Sequence, residues 1–434
     1  MKKVLIITYY WPPSGGGGVQ RWVKFVKYLP KYQIEPIIMT VDPATASYAL
    51  MDASLSEEIG SEVKVYYAKS REPFNFYKKL TSKKEIPFGG FANEDNPGLM
   101  QVISRFIRGN FFIPDARIGW NTFAYKQAVK LIKQFGITTV ITSSPRHSTQ
   151  LIGLKLKKKL GVHWIADMRD PWTDIYYYHK MYHSLLAKWL DKKKELCVLR
   201  NADSVVVVSK SIRDLFVSKM DSTQKDNINV ISNGFDVSDF NKTSSTKNKK
   251  FTIAYTGTLA ENYHIEGFLN AMRALIKNHG ESGICLQFVG RVTEKYRHLI
   301  EGSVLKAVCS FTGHVDHETS IGFLQKADAL FIAIPDVPQN EGILTGKLFE
   351  YLAARKPIIG VGPVEGDASA IIDECGAGKM FAYEDDGAIA SYLNHLYLAW
   401  IESSTSEFEG NAYLNYSREH LTEKLVELIP KIRE

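Results

Sequence analysis

Residues 3–10, KVLIITYY, form an unbroken apolar run, and four glycines, Gly15–Gly18, separate it from an amphipathic segment. A run without polar alternation belongs in a sheet buried on both faces, the situation of a parallel strand covered by helices. After the glycines, Val19, Trp22, Val23 and Val26 recur at the spacing of one helix face, leaving Gln20, Lys24, Lys27 and Lys31 for the others. EPIIMTV (35–41) then supplies a second strand and completes a strand–helix–strand unit. TTVITSS (138–144), HWIADM (163–168) and SVVVVS (204–209) continue the alternation. A polar stretch, NGFDVSDFNKTSSTKNKK (233–250), has linker composition, and beyond it the pattern restarts. FTIAYTGTL (251–259) ends in a small-residue turn, a helix is expected over about 265–276, and ICLQFVG, SFTGHV and ALFIAI follow as strands. The expected fold is α/β: two facing Rossmann-like, doubly wound parallel-sheet domains, with ligands at the strands' carboxyl ends in an interdomain cleft.

Length agrees, since 434 residues exceed one ordinary core and fit two. The 45% hydrophobic and 23% charged content is that of a globular protein, and no segment approaches the ~20 apolar residues of a membrane span. The first run is interrupted by tyrosines and lacks a small-residue cleavage site, so it reads as a strand and not as a signal peptide. Cys197, Cys285, Cys309 and Cys375 are scattered without metal-like spacing, which points to isolated thiols in a reducing compartment and away from zinc. A cytoplasmic location is the expectation. The net charge of +7 is concentrated in part in KLKKK (155–159) and KWLDKKK (188–194). Such runs are solvated helix faces, or they attract an anionic membrane or a phosphorylated substrate.

Four stretches carry candidate chemistry. The glycine loop, with Gly16, Gly17 and Gly18, offers bare backbone N–H groups at a helix start, where the macrodipole favours an anion or polar oxygen; a shaped turn is the plainer alternative. ADMRDPWTD (166–174) places Asp167, Arg169 and Asp170 at a strand's carboxyl end, able to bind hydroxyls, act as a base, or form an Arg–Asp pair that holds the loop. SSPRHSTQ (143–150) sets His147 near a helix start, as a sugar or phosphate contact or as a packing residue. In NEGILTGKLFEYLAARKPIIGVG (340–362) Thr345 or Gly346 opens a helix, with Lys347 and Glu350 one turn apart on one face. A diphosphate at that helix start would meet amides and the Lys347 ammonium, and Glu350 would accept hydrogen bonds from a ribose. A surface Glu–Lys pair is the rival.

PPSGGGGVQR, IADMRDPW, VISNGFD (230–236), AYTGTL, FTGHV (311–315) and TGKLFEYLAARKPII, in this order and spacing, resemble the retaining glycosyltransferases of family 4, two-domain enzymes of the GT-B fold. The resemblance implies a nucleotide-sugar donor on a carboxyl-terminal domain (250–410) and an acceptor on an amino-terminal one (1–240), with a last helix (411–434) crossing back to the first. It implies a donor site of Lys347, Glu350, Gly346, Thr345, Glu341, Gly257, Thr258 and Arg291. It puts Arg169 or Asp170 in the place of a histidine common to the family after the amino-terminal strand; these two and His147 are the candidate catalytic residues, with Asp167 expected on the acceptor side. The family's paired glutamates match Glu350 at the second position; Gly342 occupies the first, and Glu341 is one residue off. No arginine follows the strand at Gly257–Leu259, so Lys347 and Arg291 are expected to supply the charge.

The expected partners are a nucleotide-sugar and a saccharide or lipid-linked acceptor, with peripheral contact to an anionic membrane, a position at the inner face of the cytoplasmic membrane, and no nucleic acid. Neither metal nor cofactor is expected, for lack of a D-x-D motif. The expected activity is glycosyl transfer with retention in surface polysaccharide or glycoconjugate synthesis. A nucleotide-sugar epimerase of the same fold and an inactive nucleotide-sugar-binding relative are the alternatives. The aromatic and basic stretches 70–120 and 174–183 suit an acceptor or a bilayer, or the inside of the first domain.

Overall fold

The computed structural model describes residues 1–48, 50–52, 54–71, 98–220, 226–240, 248–402, 408 and 410–431. Part of the stretch 70–120 therefore lies outside the described residues, as do 241–247 of the polar segment. The chain forms two compact units, Met1–Ser232 with Arg418–Glu434, and Asn233–Ser417. The polar segment 233–250 thus falls to the second unit, and the return to the first comes at Arg418.

The first unit is a seven-stranded sheet whose paired strands all run parallel, in the order β3-β2-β1-β4-β5-β6-β7. Its strands are β1 (Lys2–Thr8), β2 (Ile34–Val41), β3 (Lys64–Ala68), β4 (Thr139–Ser143), β5 (His163–Arg169), β6 (Ser204–Val207) and β7 (Ile228–Val230). Val4, Leu5, Ile6 and Ile7 of β1 are fully buried, each contributing roughly 2 kcal/mol of apolar transfer before chain entropy is charged. The first strands are joined by α1 (Gly17–Tyr28), α2 (Leu99–Phe111), α3 (Asn121–Phe135), α4 (Ser148–Leu160), α5 (Leu185–Asn201) and α6 (Lys210–Ser218). Helix α1 buries Val19, Trp22, Val23 and Val26 as its spacing requires, and Lys24 as well, which meets Glu58 at 2.7 Å. The carboxyl-terminal helix Arg418–Glu427 adds Leu421 and Leu425 to the core that α1 helps to build.

The second unit is a six-stranded parallel sheet in the order β10-β9-β8-β11-β12-β13, with strands β8 (Phe251–Thr256), β9 (Ile284–Val289), β10 (Cys309–Gly313), β11 (Ala329–Ala333), β12 (Ile358–Val361) and β13 (Gly378–Phe381). Its helices are α7 (Glu266–His279), α8 (Glu294–Glu301), α9 (His317–Lys326), α10 (Gly346–Ala354), α11 (Asp367–Glu374) and α12 (Asp386–Ile401). In both sheets the strand order reverses once, between β1 and β4 and between β8 and β11. A doubly wound sheet opens a crevice at the carboxyl ends of such a pair, because the flanking connections leave on opposite faces.

Candidate functional site

In the first unit the glycine loop follows β1, and its shape is set by what lies against it. Gly16 has φ +104°, and a Cβ on Gly18 would stand 2.5 Å from Nη1 of Arg169. Arg169 ends β5 with φ +53°, a left-handed conformation unusual for a residue with a side chain. Its Nε is buried without a hydrogen-bond partner. The last glycine of the quartet therefore seats a guanidinium.

Asp167 is not a ligand group in this structure. It is 1% exposed, pairs with Arg21 at 3.2 Å and accepts hydrogen bonds from Trp22 Nε1 at 2.9 Å and Ser143 Oγ at 2.8 Å. Both oxygens are used inside the fold, so its place on the acceptor side is corrected to that of a buried anchor. The Arg–Asp pair that holds this loop is Arg21–Asp167, and Arg169 is left out of it. Arg21 also donates to the carbonyls of Ile231 and Ser232, tying α1 to the end of the unit. Asp170 is partly exposed and has no hydrogen-bond or ion-pair partner among the described residues.

His147 sits at the start of α4, stacked on Trp172 with centroids 4.8 Å apart, and its Nδ1 lacks a partner. Burial pushes its pKa down to about 4, so it is a neutral ring at neutral pH. Arg146 beside it donates twice to Tyr10 Oη, at 2.9 and 2.7 Å.

In the second unit the Lys347 ammonium is the centre of the arrangement. Lys347 is the second residue of α10; it donates to Tyr255 Oη at 2.7 Å and lies 4.0 Å from the Tyr255 ring centroid and 5.7 Å from that of Tyr263. Tyr255 in turn donates to the Thr258 carbonyl at 2.9 Å. Gly257, with φ +93°, leaves room for the ammonium, 3.4 Å from where its Cβ would be. No carboxylate pairs with Lys347 among the described residues. Burial lowers its pKa to about 7, a fall that Glu350 partly offsets.

Glu350, one turn along, meets His317 Nε2 through Oε1 at 3.1 Å and is not paired with Lys347, so the surface Glu–Lys pair does not form. Thr345 caps the helix by position only, since its Oγ1 makes no capping bond and is buried without a partner. The first-turn amides of Gly346 and Lys347 have no hydrogen-bond partner among the described residues, as the N–H groups of an uncapped helix start lack one within the helix. Tyr351 on the opposite face accepts from the Thr256 amide at 2.8 Å, which fixes α10 against the end of β8.

Glu341 is exposed on the short turn Asn340–Gly342. Gly342 beside it is buried. Arg291 is exposed after β9, with no side-chain partner among the described residues. Thr258 is exposed between Gly257 and Leu259.

The structure thus brings Lys347, Gly257, Thr258, Thr345, Gly346 and Glu350 together in one unit, and Gly18 and Arg169 in the other, with His147 and Asp170 on neighbouring strand-end loops. Arg21, Tyr255, Tyr263 and His317 escape sequence reading. A tyrosine near the end of a buried strand, as in AYTGT, is the available signal for Tyr255.

These features define a two-domain doubly wound α/β protein with its unpaired cations at strand carboxyl ends. Residues 60–239 match the family model described as Glycosyltransferase Family 4, and residues 237–412 the model described as Glycosyl transferases group 1. The chain is a glycosyltransferase of the GT-B fold.

No curated protein sequence matches it. Among solved structures it is similar to Anabaena Alr3699/HepE in complex with UDP, at 11% identity over 98% of this chain and 99% of that one, TM-score 0.59. It is similar to sucrose-phosphate synthase from Thermosynechococcus elongatus, at 14% identity over 99% of this chain and 98% of that one, TM-score 0.62. A third is an S. aureus TarM variant in complex with fondaparinux, alpha-GlcNAc-glycerol and UDP, at 12% identity over 99% and 100%, TM-score 0.61. Likeness at such identities speaks for the fold. Among the described residues no helix is long and apolar enough to cross a membrane, and no three His, Cys, Asp or Glu side chains are grouped to hold a metal.

Proposed function

We propose that this glycosyltransferase takes its sugar from a nucleoside diphosphate sugar bound to the second unit. It passes the sugar to a hydroxyl of a saccharide or lipid-linked saccharide held on the first unit. The observation that carries the reading is the Lys347 ammonium, held by a phenol oxygen and two ring faces without a carboxylate, beside free first-turn amides. That is a site waiting for an anion. Solved relatives of the fold carrying UDP agree with it.

The bond from the anomeric carbon to the β-phosphate oxygen breaks, and its electron pair leaves with the diphosphate. The acceptor oxygen forms the new bond and passes its proton to the departing β-phosphate oxygen. Lys347 and the amides of Gly346 and Lys347 meet the charge developing on the leaving phosphate, which is electrostatic stabilisation. Glu350 receives the ribose hydroxyls, and Thr258, Arg291 and Glu341 border the donor.

Arg169, Asp170 and neutral His147 are the first unit's contribution, as hydrogen-bonding groups toward the sugar and the attacking hydroxyl. The reading keeps retention of configuration, membership of family 4, surface-polysaccharide synthesis, peripheral contact with an anionic membrane and independence from metal as parts of the proposal. It is tested by a melting-temperature screen over UDP-, GDP-, ADP- and CMP-sugars, followed by incubation of the stabilising sugar with and without acceptor. Stabilisation by one nucleotide family and acceptor-dependent release of its diphosphate are the expected results. Epimerised sugar without acceptor would overturn the transferase reading, and no response to any nucleotide would favour an inactive scaffold.

A further inference from the structure

The first unit carries two helices mounted with their apolar sides outward. On α2, Leu99 and Phe111 are 77% and 73% exposed, and Met100, Ile103, Phe106 and Ile107 are also exposed. The side turned inward is formed by Arg105 and Gly109. This reverses the ordinary amphipathic helix, which hides its apolar stripe. The reversal is fixed in place. A Cβ on Gly109 would collide with the Met181 carbonyl, and Asn110 donates to the Tyr182 carbonyl at 3.0 Å while accepting from the Ser184 amide at 2.7 Å.

Those bonds bring α2 against the start of α5, where Leu185 is 86% exposed, Trp189 57%, and Leu186 is also exposed. Helix α5 cannot roll these side chains inward. Its inner face is held by Asp191, which accepts from Trp172 Nε1 at 2.8 Å and Tyr178 Oη at 3.0 Å, and by Glu195, which meets Lys219 at 2.8 Å.

Charge identifies the occupant. Helix α2 contains no Asp or Glu, and both carboxylates of α5, Asp191 and Glu195, are buried. The outward face of α5 presents Lys188, Lys192 and Lys193, and the Lys193 ammonium lies 4.9 Å from the Trp189 ring. Leu, Ile and Phe beside Trp and Lys, without an exposed acid on either helix, is the composition of a surface that lies in the headgroup layer of an anionic bilayer. An apolar area of this kind is rare on a surface that meets only water.

We propose that the outward faces of α2 and α5 dock the protein on a lipid surface bearing anionic headgroups, the apolar side chains entering the interface and the three lysines meeting lipid phosphate. This deepens the reading of a membrane contact and a lipid-linked acceptor, and it fails separately from that of sugar transfer, because vesicle binding needs no donor.

The test is flotation of the full chain with vesicles of phosphatidylcholine alone or mixed with phosphatidylglycerol. Wild type floats with the mixed vesicles, less so as salt is raised. Phe106→Ser with Ile107→Ser lowers that binding roughly tenfold. Lys188→Glu, Lys192→Glu and Lys193→Glu together lower it on the order of a hundredfold. Unchanged melting temperature and nucleotide response show that these surface variants are folded. Brominated phosphatidylglycerol quenches the wild-type fluorescence, and Trp189→Phe removes that quenching. Equal flotation with neutral vesicles, or mixed-vesicle binding that both variant sets leave intact, overturns the proposal. So does a wild-type dimer on size exclusion that the Phe106→Ser, Ile107→Ser protein loses, which would assign the face to a second copy.

Discussion

At the end of β5 the Arg169 guanidinium lies over Gly18, with Nη1 2.5 Å from where a Cβ would stand, whereas at the end of β8 the Lys347 ammonium lies 3.4 Å from the same point on Gly257. Each unit thus omits a side chain, at a helix start in the first and just past a strand end in the second, to admit a long cation. The cations are then treated differently. Arg169 has a buried Nε without a hydrogen-bond partner, and the nearby carboxylate of Asp167 is taken by Arg21. Lys347 is held by Tyr255 of β8, and the turn that follows this strand is tightly packed, since a Cβ on Gly290 would overlap the Gly257 carbonyl. The comparison teaches that a missing side chain can admit a cation whose Nε the fold leaves without a partner or one that it anchors on a phenol oxygen. An arginine stays charged at any working pH, while a lysine buried against rings does not.

The largest expected effect separates the two loops by stability. Gly290 has φ +133°, and its Cβ would meet backbone that cannot move aside, so Gly290→Ala should cost roughly 3 kcal/mol in denaturant unfolding. Gly18→Ala meets the far end of Arg169 and, at 3.3 Å, the ring carbon Cδ of Pro145, side-chain atoms in both cases, so it should cost less than about 1 kcal/mol while displacing the guanidinium and lowering turnover. Equal losses of stability would break the comparison.

Next in size is the division of labour. Removing the ammonium in Lys347→Ala should weaken nucleoside diphosphate binding by roughly 2–3 kcal/mol, and nucleoside binding far less. Arg169→Ala should leave nucleotide affinity within about 0.5 kcal/mol and act on turnover. Titration calorimetry with the diphosphate, monophosphate and nucleoside reads both; equal loss for all three ligands in Lys347→Ala would argue against the phosphate role.

The pH dependence should belong to the second unit alone. Burial among Tyr255 and Tyr263 lowers the Lys347 pKa to about 7, and Glu350 is the charge that opposes the fall. A diphosphate binds the protonated amine and raises its pKa again, so affinity is greatest below about 7 and falls as pH rises through it, by up to about tenfold per unit. Binding near pH 7 should take up a proton, visible as a buffer-dependent calorimetric enthalpy that Lys347→Ala abolishes. For folding the sign is opposite. Between about 7 and the ordinary lysine value of 10.5 the unfolded chain holds the extra proton, so this group's contribution to stability rises with pH across that window.

Much of this arrangement is legible in the sequence because long apolar runs and glycines are local signals. β1, β2, β4, β5, β8, β9 and β11 lie where unbroken apolar stretches put them, and α10 begins at Gly346. β3 escapes because KVYYA is half exposed at a sheet edge and carries no continuous apolar run. β12 is hidden inside the motif that ends IIGVG, and β7 and β13 are only three and four residues long. Asp167 misleads for a different reason. A carboxylate at a strand end looks the same in sequence whether it faces a ligand or a core, and its partner Arg21 is 146 residues away. The outward-facing α2 is similarly undecided, because aromatics and bases at helical spacing do not say which face is buried.

The smallest expected effect tests whether Glu350 takes part in nucleotide recognition in its own right, as is proposed for Lys347. Its Oε1 meets His317 at 3.1 Å while its side chain remains partly open, so the carboxylate has acceptor capacity left for a ribose. Glu350→Gln keeps the shape and one acceptor but removes the charge. It should weaken UDP binding by roughly 1–2 kcal/mol and 2′-deoxy-UDP binding by less, since the lost interaction is a charge-assisted hydrogen bond from a hydroxyl. A His317→Ala protein should bind both within about 0.5 kcal/mol of wild type, because the pair is open to water on both sides. If Glu350→Gln weakened the two nucleotides equally, Glu350 would act by supporting Lys347, and the second unit would recognise phosphate alone.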